Sequence, residues 1–305
     1  MRQARQRVVT ADTLARAEAA YLGLALGDAL GATVEFMTPR EIAHRFAGAG
    51  GVHREIIGGG WLHLKPGQVT DDTTMSLALG QAILAQDGEI TRLGCARAFD
   101  SWMRGKPVDI GNTVRRNLLQ FRRSGFPTAA PSEHDAGNGA AMRVLPVALA
   151  TLDWPEYEVR DACRIQAHVT HHNPVSDAAC EFITLAVQDF IRGASLREVY
   201  RIRIAQLLRD QPAFAFRGRP RRVNPSGWVV ETLQAVLQAL LDVGGFENCL
   251  VDVVNRGGDA DTTGAITGML AGALYGSRAI PARWLKALDP GVRERCIAQA
   301  RALLA

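Results

Sequence analysis

The chain has 305 residues, with 35 Lys and Arg against 31 Asp and Glu, for a formal charge of +4. Its apolar content of 47% can fill a sizeable core, and no Pro/Ser-rich linker divides it, so it reads as one domain. The longest apolar run, near residues 265–275, is far too short to span a bilayer, and no signal-peptide pattern opens the chain. An integral membrane protein is excluded on this reading, and a soluble cytoplasmic protein is expected. Arg2, Arg5 and Arg7 crowd the N-terminus, and Arg217, Arg219, Arg221 and Arg222 crowd one loop. Neither segment interleaves aromatics, which argues against nucleic acid and predicts a flexible basic tail over residues 1–12 and a solvated loop. The functional alternative is a dock for an acidic partner. Five scattered cysteines, Cys95, Cys163, Cys180, Cys249 and Cys296, fit buried reduced thiols better than a disulfide frame or a zinc site.

In chain order, residues 11–30 read as a helix, with Leu14, Ala17, Tyr21, Leu24 and Leu26 on one face. Gly23, Gly27 and Gly31 recur every fourth residue, Asp28 interrupts the apolar pattern, and Glu35 follows the stripe closely enough to be a site candidate. Residues 48–67 form a glycine-rich excursion around Trp61 that predicts a flexible loop walling a cleft. Gln68 to Ser76 then sets Asp71 and Asp72 between threonines, directly before a helix predicted over 73–84. A further helix is expected over 96–103. Asp109 lies in an irregular turn, where it could cap the next helix, 113–122. The polar loop 133–143 leads into a helix over 141–150, whose start is a plausible anion seat. His168, His171 and His172 lack metal-site spacing and suit a substrate hydrogen bond or a cap better than zinc. Ser226 to Leu233 opens a helix running to 241. Alternating strand patterns are absent, so the fold class is all-α.

The chain closes its pattern at 257–276. Asp259 and Asp261 sit on a glycine-flanked turn with Thr262 and Thr263 behind them, followed by Gly264, Gly268, Gly272 and Gly276. Each interior helix glycine costs up to ~1 kcal/mol relative to alanine, so a packing reason is required. The shared spacing predicts that both glycine stripes line the closest helix contacts of the core, where packing one on the other would bring Glu35 and Asp259 to the same place. Two Asp/Thr clusters without nearby Cys or His suit a hard cation such as Mg2+ or Mn2+. The competing reading is that all four aspartates are N-caps.

Taken together and in order, Gly27-Asp28-Ala29-Leu30-Gly31 with Glu35, Gly58-Gly59-Gly60-Trp61, Thr70-Asp71-Asp72-Thr73, Val108 to Thr113, Gly137 to Arg143, Thr170-His171 with Pro174, and Gly257 to Thr262 resemble the ADP-ribosylglycohydrolase family. The likeness covers roughly residues 14–290 and is closest to the dinitrogenase reductase-activating branch. It implies a helical domain over 13–305 and an enzyme that removes ADP-ribose from a protein arginine, with dinitrogenase reductase as the protein substrate. It further implies two divalent cations, Mn2+ or Mg2+, on Thr70, Asp71, Asp72, Asp259, Asp261 and Thr262. Glu35 would lie beside the metals and Asp109 beside the ribose as catalytic groups, while Gly111, Asn138, Gly139, Met142 and His171 would line the ADP-ribose groove. The branch often shows Thr-His-Asn-His-Pro where this chain has Thr170-His171-His172-Asn173-Pro174. It commonly has Tyr where Trp228 stands, a change that keeps stacking on adenine and loses a hydroxyl. The branch also implies control by a PII-type signalling protein and reversible membrane sequestration through partners; a monomer is the expected state. The alternatives are the same fold acting on another ADP-ribosylated protein or small compound, or a non-catalytic binder.

Overall fold

The computed structural model describes residues 9–305. The arginines at 2, 5 and 7 lie outside the described residues. Thr10 already caps the first helix, its side chain accepting from Thr13 N. Fifteen α-helices follow among the described residues: α1 (Ala11–Gly31), α2 (Pro39–Arg45), α3 (Asp71–Leu84), α4 (Arg92–Arg104), α5 (Asn112–Ser124), α6 (Leu145–Ala150), α7 (Glu156–Ala167), α8 (Pro174–Ile191), α9 (Leu196–Val199), α10 (Ala205–Asp210), α11 (Val229–Asp242), α12 (Phe246–Val254), α13 (Ala260–Tyr275), α14 (Ala282–Ala287) and α15 (Pro290–Leu304). A π-helical stretch, Tyr200–Ile204, joins α9 to α10. Among the described residues there is no strand, only isolated bridges at Gly59–Leu64 and Gly137–Trp228, as the all-α reading requires. No described helix is long and apolar enough to cross a membrane.

The most extensive helix contact is α1 on α13, and the two glycine stripes are its seam. A Cβ placed on Gly23 would meet Gly268 O at 2.0 Å, one on Gly27 would meet Gly264 O at 2.0 Å, and one on Gly31 would meet Ala260 O at 2.1 Å. The reverse holds from the other side: Gly268 faces Gly23 O at 1.9 Å and Gly272 faces Ala19 O at 2.1 Å. The two backbones therefore touch directly along several turns, which any side chain in the seam would prevent. Around this pair pack α8, α11, α12 and α15, all of which contribute apolar faces to one contiguous core.

Several boundaries differ from expectation for local reasons. Helix α3 starts two residues earlier than its apolar pattern, so Asp71 and Asp72 occupy its first turn. Thr91, whose hydroxyl accepts from Gly94 N, starts α4 at Arg92 rather than at 96. The helix expected from 141 begins at Leu145, where Pro146 takes the first turn, and residues 139–143 are turns instead. The anion seat read at that helix start is therefore absent from position 141. The arginine loop is not simply solvated: Arg221 pairs with Asp252, Arg222 holds Gln234 and Glu231, and Arg217 lies over the Tyr200 ring. All five cysteines are free and buried.

Candidate metal centre

The seam sets up the site. Because Gly31 packs on Ala260 O, the end of α1 lies against the start of α13, and the chain leaving α1 carries Glu35 to the acidic turn. That chain is bolted there in both directions: Phe36 N donates to Gly258 O (2.7 Å) and Gly258 N donates to Met37 O (3.0 Å). Gly257 and Gly258 take positive φ of 71° and 68°, and a Cβ on Gly257 would strike Met37 O at 2.1 Å. Only glycine fits both the backbone angle and the approach.

Asp28, fully buried in α1, organises the other acidic turn. Its carboxylate accepts from Thr70 N (3.0 Å), Thr70 Oγ1 (3.0 Å), Thr73 N (3.1 Å) and Thr73 Oγ1 (2.5 Å). The free amides at the start of α3 are thus satisfied by a residue of α1, which releases Asp71 and Asp72 from capping. Thr70, the N-cap, and Asp259, the N-cap of α13, make no side-chain cap bond. Asp259 instead accepts from Asn138 Nδ2 (2.5 Å), and Asp261 accepts from Thr262 N (2.9 Å). The two turns meet at Asp72, whose Oδ2 accepts from Thr70 Oγ1 and, 190 residues away, from Thr262 Oγ1, both at 3.3 Å. The capping account therefore fails for Asp259, which makes no cap bond, and for Asp72, whose Oδ2 meets threonine hydroxyls, while Asp261 does satisfy one first-turn amide of α13.

Glu35, Asp109 and Asp261 bring one carboxylate oxygen each within 4.8 Å of one another. Asp109 does not cap α5, which begins with Gly111 as N-cap; its Oδ1 accepts from Ile110 N (2.7 Å). Glu35 Oε2 accepts the Trp61 indole N–H at 2.6 Å, which leaves its other oxygen for a proton or an ion. Burial, reinforced by the acidic neighbours, pushes Glu35 up to about 8 and Asp71 up to about 7. Asp28 rises to about 6 through burial, held back by its four threonine bonds. Asp72, Asp259 and Asp261 rise for the same first reason, burial, with like charges adding for Asp72 and Asp261. Asp72 Oδ1 is buried without a partner. An all-oxygen donor set with an unsatisfied buried carboxylate oxygen fits a hard divalent cation.

The residues expected along the groove are placed unevenly. Asn138 bridges Asp259 and Thr232, tying the polar loop to α13 and α11. The backbone N–H of Gly111 lies on the Asp71 side, where it opposes the rise of that carboxyl's pKa. His171 faces Gly137 and Gly139, where a Cβ on Gly139 would meet its ring at 2.9 Å. Arg143 donates to Thr170 Oγ1 (2.8 Å), whose hydrogen is then free for His171 Nδ1 (2.8 Å), leaving the ring hydrogen on Nε2 toward those glycines. Burial first, then Arg143, lowers His171 to about 3, so the ring is neutral. Trp228, half-exposed, pairs with Gly137 through an isolated backbone bridge. Met142 packs into the buried core. His168 pairs with Asp177, and His172 bonds Ala129 O, while Asn173 caps α8, so none of the three joins the acidic cluster. Sequence reasoning missed Asp28 and Trp61 as parts of the site; a lone carboxylate inside a glycine-striped apolar helix was the available signal for the first.

Comparison with known proteins places the chain by sequence and by fold. The sequence model of the ADP-ribosylglycohydrolase family matches residues 9–305. The chain is similar to the ADP-ribosyl-(dinitrogen reductase) glycohydrolase of Rhodospirillum rubrum, at 47% identity over 95% of this chain and 96% of that one. It is also similar to the ADP-ribosylarginine hydrolase Tri1 of Serratia proteamaculans (strain 568), at 31% identity over 91% of this chain and 76% of that one. A solved structure described as an ADP-ribosylglycohydrolase-related protein complex superimposes with a TM-score of 0.82 at 36% identity, covering 97% of this chain and 99% of that chain.

Proposed function

The chain belongs to the ADP-ribosylglycohydrolase family, and on that premise we propose that it is a metal-dependent hydrolase that removes ADP-ribose from an arginine side chain of a modified protein, dinitrogenase reductase. The observation that carries the reading is the convergence of two buried Asp/Thr turns with Glu35 and the half-buried Asp109. Two divalent cations, Mn2+ or Mg2+, would be held by Thr70, Asp71, Asp72, Asp259, Asp261 and Thr262, and supply Lewis-acid stabilisation of the ribose oxygens.

The reaction breaks the bond between the anomeric carbon and a guanidine nitrogen; water adds its oxygen to that carbon, and a proton ends on the departing nitrogen. Glu35 and Asp109 are the groups that hold and move that proton, Glu35 through the oxygen that Trp61 does not occupy. Asp28 orients the start of α3, and Asn138 orients Asp259, so neither turn has to reorganise during the reaction. Gly111, Asn138, Gly139 and the His171 Nε2–H face the nucleotide, with Trp228 stacking on adenine; Met142 supports this wall from the core.

The test is release of ADP-ribose from ADP-ribosylated dinitrogenase reductase and from an unrelated protein modified at arginine. Faster release from the first supports the substrate assignment; equal rates would return it to a general arginine-directed hydrolase, and no release from either would refute the reading. We further propose a monomer controlled by a PII-type protein with reversible membrane association; size measurement and PII binding check these.

A further inference from the structure

A groove of about 610 Å3 opens directly onto Glu35, between α2 and the glycine-rich loop. Its wall carries two large aromatics that the fold leaves outside: Phe36 is 65% exposed and Trp61 is 50% exposed, with ring centroids 5.4 Å apart at an interplanar angle of 48°. Phe36 holds this position with a φ of +61°, a conformation that a bulky residue rarely adopts. The two-way bond to Gly258 described above keeps it there, so backbone strain is retained where it turns a phenyl ring toward solvent beside the acidic turn. At the rim, Arg45 is tied to Thr33 O and Glu41 to Thr38, whereas Arg40 and His44 project from one exposed face of α2.

We propose that this groove seats the polypeptide that carries the modified arginine, with the arginine guanidinium against Phe36 and Trp61 and acidic side chains of that polypeptide toward Arg40 and His44. The inference rests on the hydrolase reading above and adds the subsite for the departing group. In the bond to be cleaved, the guanidine nitrogen is attached to the anomeric carbon itself, so the arginine must leave through space next to Glu35. The residues assigned to the nucleotide come from 111–228, whereas this groove is built from 33–61 and shares only the carboxylate cluster with them. A planar, weakly hydrated cation is the ligand that aromatic faces select, and guanidinium favours them over ammonium. Trp61 has two jobs on this account: its N–H holds Glu35, and its face meets the leaving group.

The experiment measures KM and kcat with ADP-ribosyl-arginine and with an ADP-ribosylated protein for the parent, Phe36→Leu, Phe36→Tyr, Arg40→Glu and Arg40→Lys. Phe36→Leu keeps the bulk and removes the π face; it should raise KM about tenfold on both substrates with kcat little changed, and Phe36→Tyr should restore it. Inhibition by free arginine should weaken in parallel. Arg40→Glu, on an exposed position that folding does not need, should raise KM on the modified protein more than on ADP-ribosyl-arginine, with Arg40→Lys restoring it. A parent active on both substrates, with Phe36→Leu and Arg40→Glu each within twofold of its KM, overturns the groove assignment alone. A parent inactive on both overturns the hydrolase reading and this proposal with it.

Discussion

Replacing one seam glycine by alanine tests the frame of the site. In Gly268→Ala the new methyl would start 1.9 Å from Gly23 O and needs at least 3.0 Å, so α1 and α13 must part by about 1.1 Å along their closest contact. The obstacle is a backbone carbonyl rather than the end of a flexible side chain, so it cannot rotate away. Alanine in an unobstructed helix would gain up to ~1 kcal/mol from propensity. Overpacking costs ~1–3 kcal/mol and more when a backbone must shift. The net expectation is a loss of about 2 kcal/mol, or a Tm lower by about 3 °C for a chain of this size.

Position along the seam separates packing from chelation. Gly264, Gly268 and Gly272 lie about one, two and three turns beyond Asp261 and all face α1 backbone, at 2.4, 1.9 and 2.1 Å. All three alanine variants should therefore lose stability. Mn2+ affinity, read by calorimetry, should fall most for Gly264→Ala, by about tenfold, and least for Gly272→Ala. A Gly268→Ala protein as stable as the parent would show that the seam glycines only loosen a tolerant helix. Equal affinities across the series would sever the seam from the site.

Asp259→Ala should abolish ADP-ribose release while leaving the circular dichroism spectrum and the chelator-state Tm near those of the parent, because Asp259 makes no cap bond. Mn2+ at one hundred times its Kd should stabilise the parent by ~2.7 kcal/mol, and this gain should vanish in the variant; identical parent melting with Mn2+ and with chelator would count heavily against a cation site. Asp28→Asn keeps the shape but turns an amide toward the Thr70 and Thr73 donors, so it should cost ~1–3 kcal/mol and weaken Mn2+ binding, as denaturant titration and calorimetry would report. His53 is buried and bonded to Leu30 O, and burial lowers its pKa from 6.5 to about 4. The unfolded chain takes up that proton below pH 6.5 and the folded one only near 4. The contribution is thus complete above 6.5 and lost as pH falls, by up to roughly 3 kcal/mol. His53→Gln should flatten that slope relative to the parent.

The acidic turns were legible because paired carboxylates between threonines, placed just before apolar helices, have few explanations. The seam was legible for a similar reason, since glycine every fourth residue is costly unless backbone meets backbone. Glu35 could be singled out only through its nearness to that stripe. Asp28 was read merely as an interruption, because nothing local reveals that its acceptors serve amides 42 and 45 residues away. Trp61 was hidden the same way: an aromatic in a glycine-rich loop gives no sign of which carboxylate its indole will hold. Asp109 looked like a cap from its distance to α5, and Gly111 took that role instead. The late start of α6 was readable from Pro146, which belongs in a first turn rather than after one.

The seam and the acidic cluster explain each other. Folding gathers Asp28, Glu35, Asp71, Asp72, Asp259 and Asp261 at one buried place, and each has its pKa raised there. Raised carboxylates bind protons in the folded state that the unfolded chain has already released. Without cations, their contribution therefore declines as pH rises from near 4 toward the folded values of about 7 for Asp71 and about 8 for Glu35. Such a cluster pushes its own elements apart, and the push acts on the end of α1 and the start of α13. A side-chain interface there could yield by rotamer changes. Two glycine backbones in direct contact cannot, so the distance between the turns is fixed before any cation arrives.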